Sequence, residues 1–452
     1  MPRVPIPLLL LALAALPGTA RAQALTLADA LRRAETRAYP NRVAEAGARA
    51  EGGRAAGTLR GVLPSVRLEG GYRRTTDPLG AFGDALRQRA LTPASFDPAR
   101  LNYPDAIGNV GSAIVVEQPL FNADALMGRR AARRGAEAAR ASEAWTRSGS
   151  AVDVIGAYYG AVLAVERAAA LDSAARAAHA HRRQAESQHR NGLAARSDAL
   201  LAAVRASDAD TRLVAARGAT RLARLQLALA MGAADDTAFT LPARLPAAAA
   251  LAVVAGELAS GPPADRADVR AARLALAAAE ADRGRATGLL LPRVNAFGRL
   301  DWNTEASPFG GRQAWTAGVM LSWSPFSGGA ELAAGREAAA RRDGAAAQAE
   351  AVEARGRVEQ AEQAIAVEVA RVRLNASTQA LDQSAEAHRI VTRRYEGGLA
   401  TVVELFDAAA EETAIRLADA DARYQLILAL AQRRRAAGLD PATLTRLDDL
   451  ER

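Results

Sequence analysis

The side chains best placed to act on a solute are a few acids beside two glycine turns. Asn191-Gly192-Leu193 is followed by Asp198, and Gly397-Gly398-Leu399 by Glu404 and Asp407. Glu404 and Asp407 are three apart, so a helix carries them on one face. Ordinary first-turn acids that stabilise a helix N-terminus share this spacing. Catalytic chemistry has far less support. There is no Cys and no Lys, all 58 basic residues being Arg. That removes disulfides, thiolate metal sites, Cys nucleophiles, a lipidated Cys, Schiff bases and the Lys of a Walker loop. No Gly-rich phosphate loop, Gly-x-Ser-x-Gly elbow or His-Glu-x-x-His is present. His179 and His181 are two apart and would leave a helix on opposite sides, so they read as helix-surface residues. The expectation is a protein that is not an enzyme and holds no cofactor or metal.

The elements that carry the acids are long. All 19 prolines lie outside two windows, residues 120–241 and 326–440, which are rich in Ala, Arg, Glu, Gln and Leu. Ile155, Tyr158, Val162 and Val165 form one apolar seam, and Val358, Ile365 and Val372 repeat at seven, a coiled-coil spacing. A helix over 329–396 would be roughly 100 Å long at 1.5 Å per residue, too long for a globular domain. The windows also read as copies. Gly192 and Gly398 are 206 apart, as are Gly232 and Gly438. Leu63-Pro64-Ser65-Val66 matches Leu291-Pro292-Arg293-Val294 at an offset of 228, so one loop between Tyr72 and Val110 has grown. The division is a signal peptide at 1–22, a first repeat at 23–241, a linker at 242–264 and a second repeat at 265–452.

The signal peptide rests on Arg3, an apolar run at 8–16, Pro17 and Ala20-Arg21-Ala22, with cleavage after Ala22. Losing Arg3 and Arg21 takes the formal charge from +8 to 8 − 2 = +6, with Arg interleaved among acids rather than gathered for nucleic acid. No later segment approaches 18 uninterrupted apolar residues, so no spanning helix is expected.

After each Leu-Pro the period becomes two. Val66, Leu68, Gly70 and Tyr72 alternate with Arg67, Glu69, Gly71 and Arg73. Val294, Ala296, Gly298, Leu300 and Trp302 alternate with Arg293, Asn295, Phe297, Arg299 and Asp301. Each run is followed by a polar loop and a second run, giving hairpins at about 62–118 and 292–324. One-sided apolar runs of this length suit transmembrane barrel strands, and Tyr72, Trp302, Trp315 and Trp323 would form an interfacial girdle. Four strands cannot close a barrel, because the smallest have about eight. Several chains must therefore share one.

Together these features resemble the outer membrane efflux protein family, the TolC-like exit ducts. Leu27-Ala-Asp-Ala-Leu31, the two Leu-Pro strand starts, Gln118-Pro-Leu-Phe121, Trp323-Ser-Pro-Phe-Ser-Gly-Gly329 and the paired Gly-Leu turns carry the resemblance, with Met231-Gly232 and Ala437-Gly438 closing each repeat. It implies a mainly α fold: long antiparallel coiled-coil helices form a periplasmic tube, and four β-strands per chain enter a trimeric twelve-stranded transmembrane β-barrel. A mixed belt would lie near residues 235–265 and the C-terminus. It further implies an outer-membrane location, a homotrimer, outer-membrane lipid, a periplasmic adaptor and an inner-membrane transporter, in a tripartite efflux pump or type I secretion system. Asp198, Tyr395, Glu404 and Asp407 would form the periplasmic constriction, with Tyr395 and Asp198 linking neighbouring helices. Gly192, Leu193, Gly398 and Leu399 would dock the adaptor. Ala400 stands where the best-known locked tip has Arg, so one closing link is missing. The competing reading is a soluble periplasmic coiled-coil scaffold or adaptor.

Overall fold

A computed structural model describes residues 23–234, 237–258 and 265–449. The signal-peptide segment 1–22 and residues 259–264 of the linker lie outside the described residues. The chain opens with β1 (Gln23–Ala24), α1 (Leu27–Arg37) and α2 (Tyr39–Gly57). β2 (Ser65–Thr75) then leads through α3 (Pro78–Arg87) and α4 (Pro98–Asn102) to β3 (Ile107–Phe121). α5 (Ala123–Arg190) and α6 (Arg196–Ala230) follow, then β4 (Phe239–Thr240), α7 (Ala248–Leu258) and α8 (Ala267–Gly288). The remainder is β5 (Arg293–Thr304), β6 (Ala314–Ser322), α9 (Ala330–Glu396), α10 (Val402–Ala436) and α11 (Arg446–Asp449).

Two long helices set the scale. α5 has 68 residues and α9 has 67, about 100 Å each at 1.5 Å per residue. α6 and α10, 35 residues each, double back from their far ends. α2 and α8 pack along the portions nearer the sheet, while α5 touches α6, α8 and α10 and so joins the two walls. The start of α9 follows Gly329, whose φ of 85° only glycine adopts without strain. The turns at the other ends are alike. Leu193 N–H reaches Gln188 O at 2.8 Å and Gly192 N–H reaches His189 O at 3.0 Å, and Leu399 and Gly398 repeat this with Arg394 and Tyr395. This is the Schellman closure, with glycine in the left-handed position. The ends of α6 and α10 close the same way at Gly232 and Gly438. A Cβ on Gly232 would lie 2.1 Å from Arg37 O, so packing as well as φ demands glycine there.

The main core sits midway along the helices. Ile155, Tyr158 and Val162 of α5 meet Leu426, Ile427 and Leu430 of α10, with Leu27 of α1, Leu251 of α7, Leu444 and Leu447 around them. Beside it Arg423 bridges two acids. It donates to Glu166 at 2.7 Å and to Asp419 at 2.9 Å, and Glu166 also accepts from Leu245 N–H at 2.8 Å. These bonds tie α5, α10 and the segment after β4 together. The carboxylates hold the Arg423 proton more firmly than usual despite the opposing effect of burial, which is the largest single influence. One stretch of α5 is apolar enough by composition to cross a membrane. Of that stretch 39% is buried within the chain, and the same helix supplies the core residues Ile155, Tyr158 and Val162.

The expected seam on α5 is thus buried, but the one on α9 is not. Val358, Ile365 and Val372 are exposed. Inside the chain α9 buries the neighbouring Val367, Ala370 and Leu374, because small residues allow closer helix approach. The heptad seam on α9 therefore stays exposed among the described residues. α6 likewise leaves Val204, Leu222, Leu225 and Leu229 exposed.

Candidate functional site

Two regions hold the residues singled out by sequence: the sheet and the opposite tip. The sheet is antiparallel in the order β2-β3-β5-β6, with β2 and β6 as edges. Its register fixes two faces. Leu68, Ile114, Leu300 and Trp315 are paired across all four strands. Val66, Tyr72, Val319 and Leu321 share that face, and Trp315 is 73% exposed. The other face carries Arg67, Glu69, Arg73, Asn109, Arg299, Asp301 and Asn303. Arg299 binds Glu69 at 2.7 Å and Asp301 at 2.8 Å, so charges lying across three strands satisfy one another. An apolar, uncovered face backed by a charged one is the pattern of a barrel wall between lipid and water.

The aromatic residues mark both rims of the apolar face. Tyr72, Trp302 and Trp315 lie toward the end away from the helices, where Trp302 meets Phe309 edge-on at 5.4 Å. Trp323 follows β6 at the helix end and donates to Leu290 O at 3.0 Å. The eight residue steps from Trp315 to Trp323 span about 27 Å at roughly 3.4 Å per residue, comparable to an apolar band about 25 Å tall once strand tilt is allowed for.

The segment between β2 and β3 differs from the polar loop expected. It contains α3 and α4, and α3 lies against the charged face. Asp84, wholly buried, accepts from Arg73 Nη2 at 2.6 Å and Nε at 3.2 Å. Gln88 donates to Gly108 O at 2.7 Å and to Asn109 Oδ1 at 3.0 Å. Asp77, the N-cap that accepts from Gly80 N–H, and Pro78 after it were the legible start signals for α3. Gly80 and Gly83 obscured the helix that follows.

At the tip a small cluster of Ala185, Ala202, Val402 and Phe406, with Leu201 and Tyr395 against it, holds the four helix ends together. Leu193 and Leu399 stand out from the turns, 79% and 73% exposed. Within the chain the Tyr395 hydroxyl pairs with Gln188 Oε1 at 3.1 Å rather than with Asp198. Burial, and after it the charge of Asp198, pushes the Tyr395 phenol up. Glu404 is a capping acid: it accepts from Thr401 N–H at 2.6 Å, while Thr401 Oγ1 accepts from Glu404 N–H at 3.2 Å. Those bonds draw its proton affinity below the usual carboxylate range. The Thr-x-x-Glu spacing signals this box in the sequence. Asp407 has Arg205 of α6 at 3.9 Å. His181, expected on the helix surface, packs against Phe406. Burial, then the nearby His388, lowers its proton affinity.

Sheet and tip thus stand at the two ends of a helical body about 100 Å long. Residues 263–439 match the family model for outer membrane efflux protein, in agreement with the resemblance read from the motifs. No curated protein sequence matches the chain. VceC from Vibrio cholerae, an outer membrane protein, is 20% identical with a TM-score of 0.72, covering 91% of this chain and 96% of that one. The CmeC outer membrane channel of Campylobacter jejuni is 14% identical with a TM-score of 0.74, covering 94% and 88%. The open-state MtrE outer membrane channel of Neisseria gonorrhoeae is 18% identical with a TM-score of 0.72, covering 92% and 89%. At such identities the likeness is one of fold.

Proposed function

We propose that three copies of this chain build one passive exit duct through the outer membrane. The observation that carries this reading is the open sheet. Among the described residues its edges β2 and β6 each lack a second neighbour and its apolar face is largely bare, and four strands are too few to close. Copies joined edge to edge would close it with lipid outside and charge inside. The exposed seams on α6 and α9 give the helical bodies matching surfaces for the same assembly. The two halves, 23–241 and 265–452 around the 242–264 linker, would then be one duplicated unit contributing half a wall each.

In this reading the tip faces the periplasm. Leu193 and Leu399, presented by Gly192 and Gly398, dock a periplasmic adaptor, and an inner-membrane transporter supplies substrate and energy for efflux or type I secretion. Asp407 and Glu404 from each chain form the acidic ring of the constriction, Asp407 held less tightly than the capping Glu404. Tyr395 and Asp198 pack the tip closed. Tyr72, Trp302, Trp315 and Trp323 sit at the lipid interfaces.

The test is to fractionate cells, extract the protein in detergent and reconstitute it in a planar bilayer. Membrane-bound material with cation-preferring conductance is expected, and Glu404→Ala with Asp407→Ala should reduce that preference. Purely soluble material, or an oligomer without conductance, would favour a periplasmic scaffold.

A further inference from the structure

The connection between β2 and β3 carries an interaction surface of its own. The anchoring residues Ala81 and Asp84 of α3 and its C-cap Gln88 fall on one side, and Leu79, Phe82, Gly83 and Leu86 on the opposite side, as the helical period requires. The first set is pressed onto the charged sheet face through Arg73 and Asn109. The second points away from the sheet, with Leu79 85% and Leu86 55% exposed. An amphipathic helix of ten residues is thus fixed by a buried carboxylate with its apolar stripe turned outward from the polar wall. Asp84 is too well held for a passing contact: Arg73 binds it with two nitrogens and Arg87 stands 3.6 Å away.

We propose that the partner of this stripe is α3 of the other copies, and that together they form a stopper in the outer mouth of the duct. This rests on the shared-barrel reading above. If the charged face is the inside of the barrel, α3 lies within the lumen at the end away from the helices. The space beyond the stripe there is bounded by the same element of the symmetry-related chains. Leu79 and Leu86 from each chain would meet around the axis, with Phe82 half-buried edge-on against Phe96 of its own chain behind them, an apolar constriction that hinders water and ions. The Asp84–Arg73 bonds hold each helix against its wall. The closed mouth opens when the stripes part.

The absence of Cys makes the test clean, since Leu79→Cys and Leu86→Cys each introduce the chain's sole thiol. In the detergent-extracted full-length oligomer, mild oxidation or a short bis-maleimide should link chains of both variants on a denaturing gel. Leu321→Cys on the apolar outer face should give no link. In a planar bilayer, Leu79→Asp with Leu86→Asp should raise conductance severalfold, and Asp84→Asn should raise it less. An intact conducting oligomer whose Leu79→Cys and Leu86→Cys thiols stay unlinked, with conductance unmoved by the Asp substitutions, would overturn the stopper alone. Absence of any conducting membrane oligomer would overturn the duct reading and the stopper with it.

Discussion

The two connections at the outer end of the sheet leave in opposite directions. The one after β2 is 31 residues long, residues 76–106, and folds onto the charged face through Asp84. The one after β5 has nine residues, 305–313, and turns to the apolar face, where Phe309 meets Trp302 and its N–H reaches Ser112 Oγ at 3.4 Å. The tip shows a similar asymmetry. α10 begins with the Thr401–Glu404 capping box, whereas α6 begins after Ala195 with no side-chain cap. Between these ends the halves are nearly matched, 68 and 35 helical residues against 67 and 35. The shared part is the body that packing dictates. The differences gather at the two mouths, where a duct would need to discriminate.

This contrast can be broken at three levels. The body should be least forgiving. Arg423→Ala leaves Glu166 and Asp419 without their shared cation, and breaking such a half-buried network costs on the order of 3–5 kcal/mol. Thermal unfolding of the extracted protein should fall well below that of the parent, and an unchanged midpoint would remove the clamp from the account. The tip asymmetry should be worth less. Thr401→Ala should weaken the start of α10 by about 1 kcal/mol, while Ala195→Ser should strengthen α6 by a similar or smaller amount. Hydrogen exchange at the first-turn amides reads both, and equal protection in parent and variants would erase the distinction between the turns.

The smallest effect concerns pH. His181 binds its proton less readily in the folded tip than in the unfolded chain. Its neutral form therefore stabilises the fold fully above the ordinary imidazole range, about 6.5, and that contribution fades as pH falls through this range toward the lowered folded value. Exchange at the tip, corrected for the intrinsic rate, should accelerate on acidification, and His181→Gln should flatten the response. A response that survives this substitution would place the sensor elsewhere.

Much of the body could be read from the residues. Missing prolines and Ala-rich composition marked the second helical window, and Gly329 and the Gly397-Gly398 turn bounded α9 within it almost to the residue. The Gly-Leu pairs marked the turns, because a left-handed closure leaves a strong signature. Alternation after Leu-Pro placed β2 and β5 with their faces, and a second run after each loop placed β6 and the middle of β3. What escaped depended on contacts between distant elements. Tyr395 finds Gln188 across 207 positions, and the α9 heptad pattern did not reveal which side faces another helix. α3 was hidden because glycines weaken its helical pattern, and its place is set by Arg73 and Asn109 on the sheet.

The most direct test of the central claim is the native mass of the detergent-extracted particle. The shared barrel, with the chain count that the family resemblance implies, predicts a particle of three processed chains, each somewhat lighter than the 47.1 kDa of the full 452 residues, with no folded single-chain species in the membrane fraction. A monomeric membrane particle, its β2 and β6 edges left open, would contradict the shared barrel.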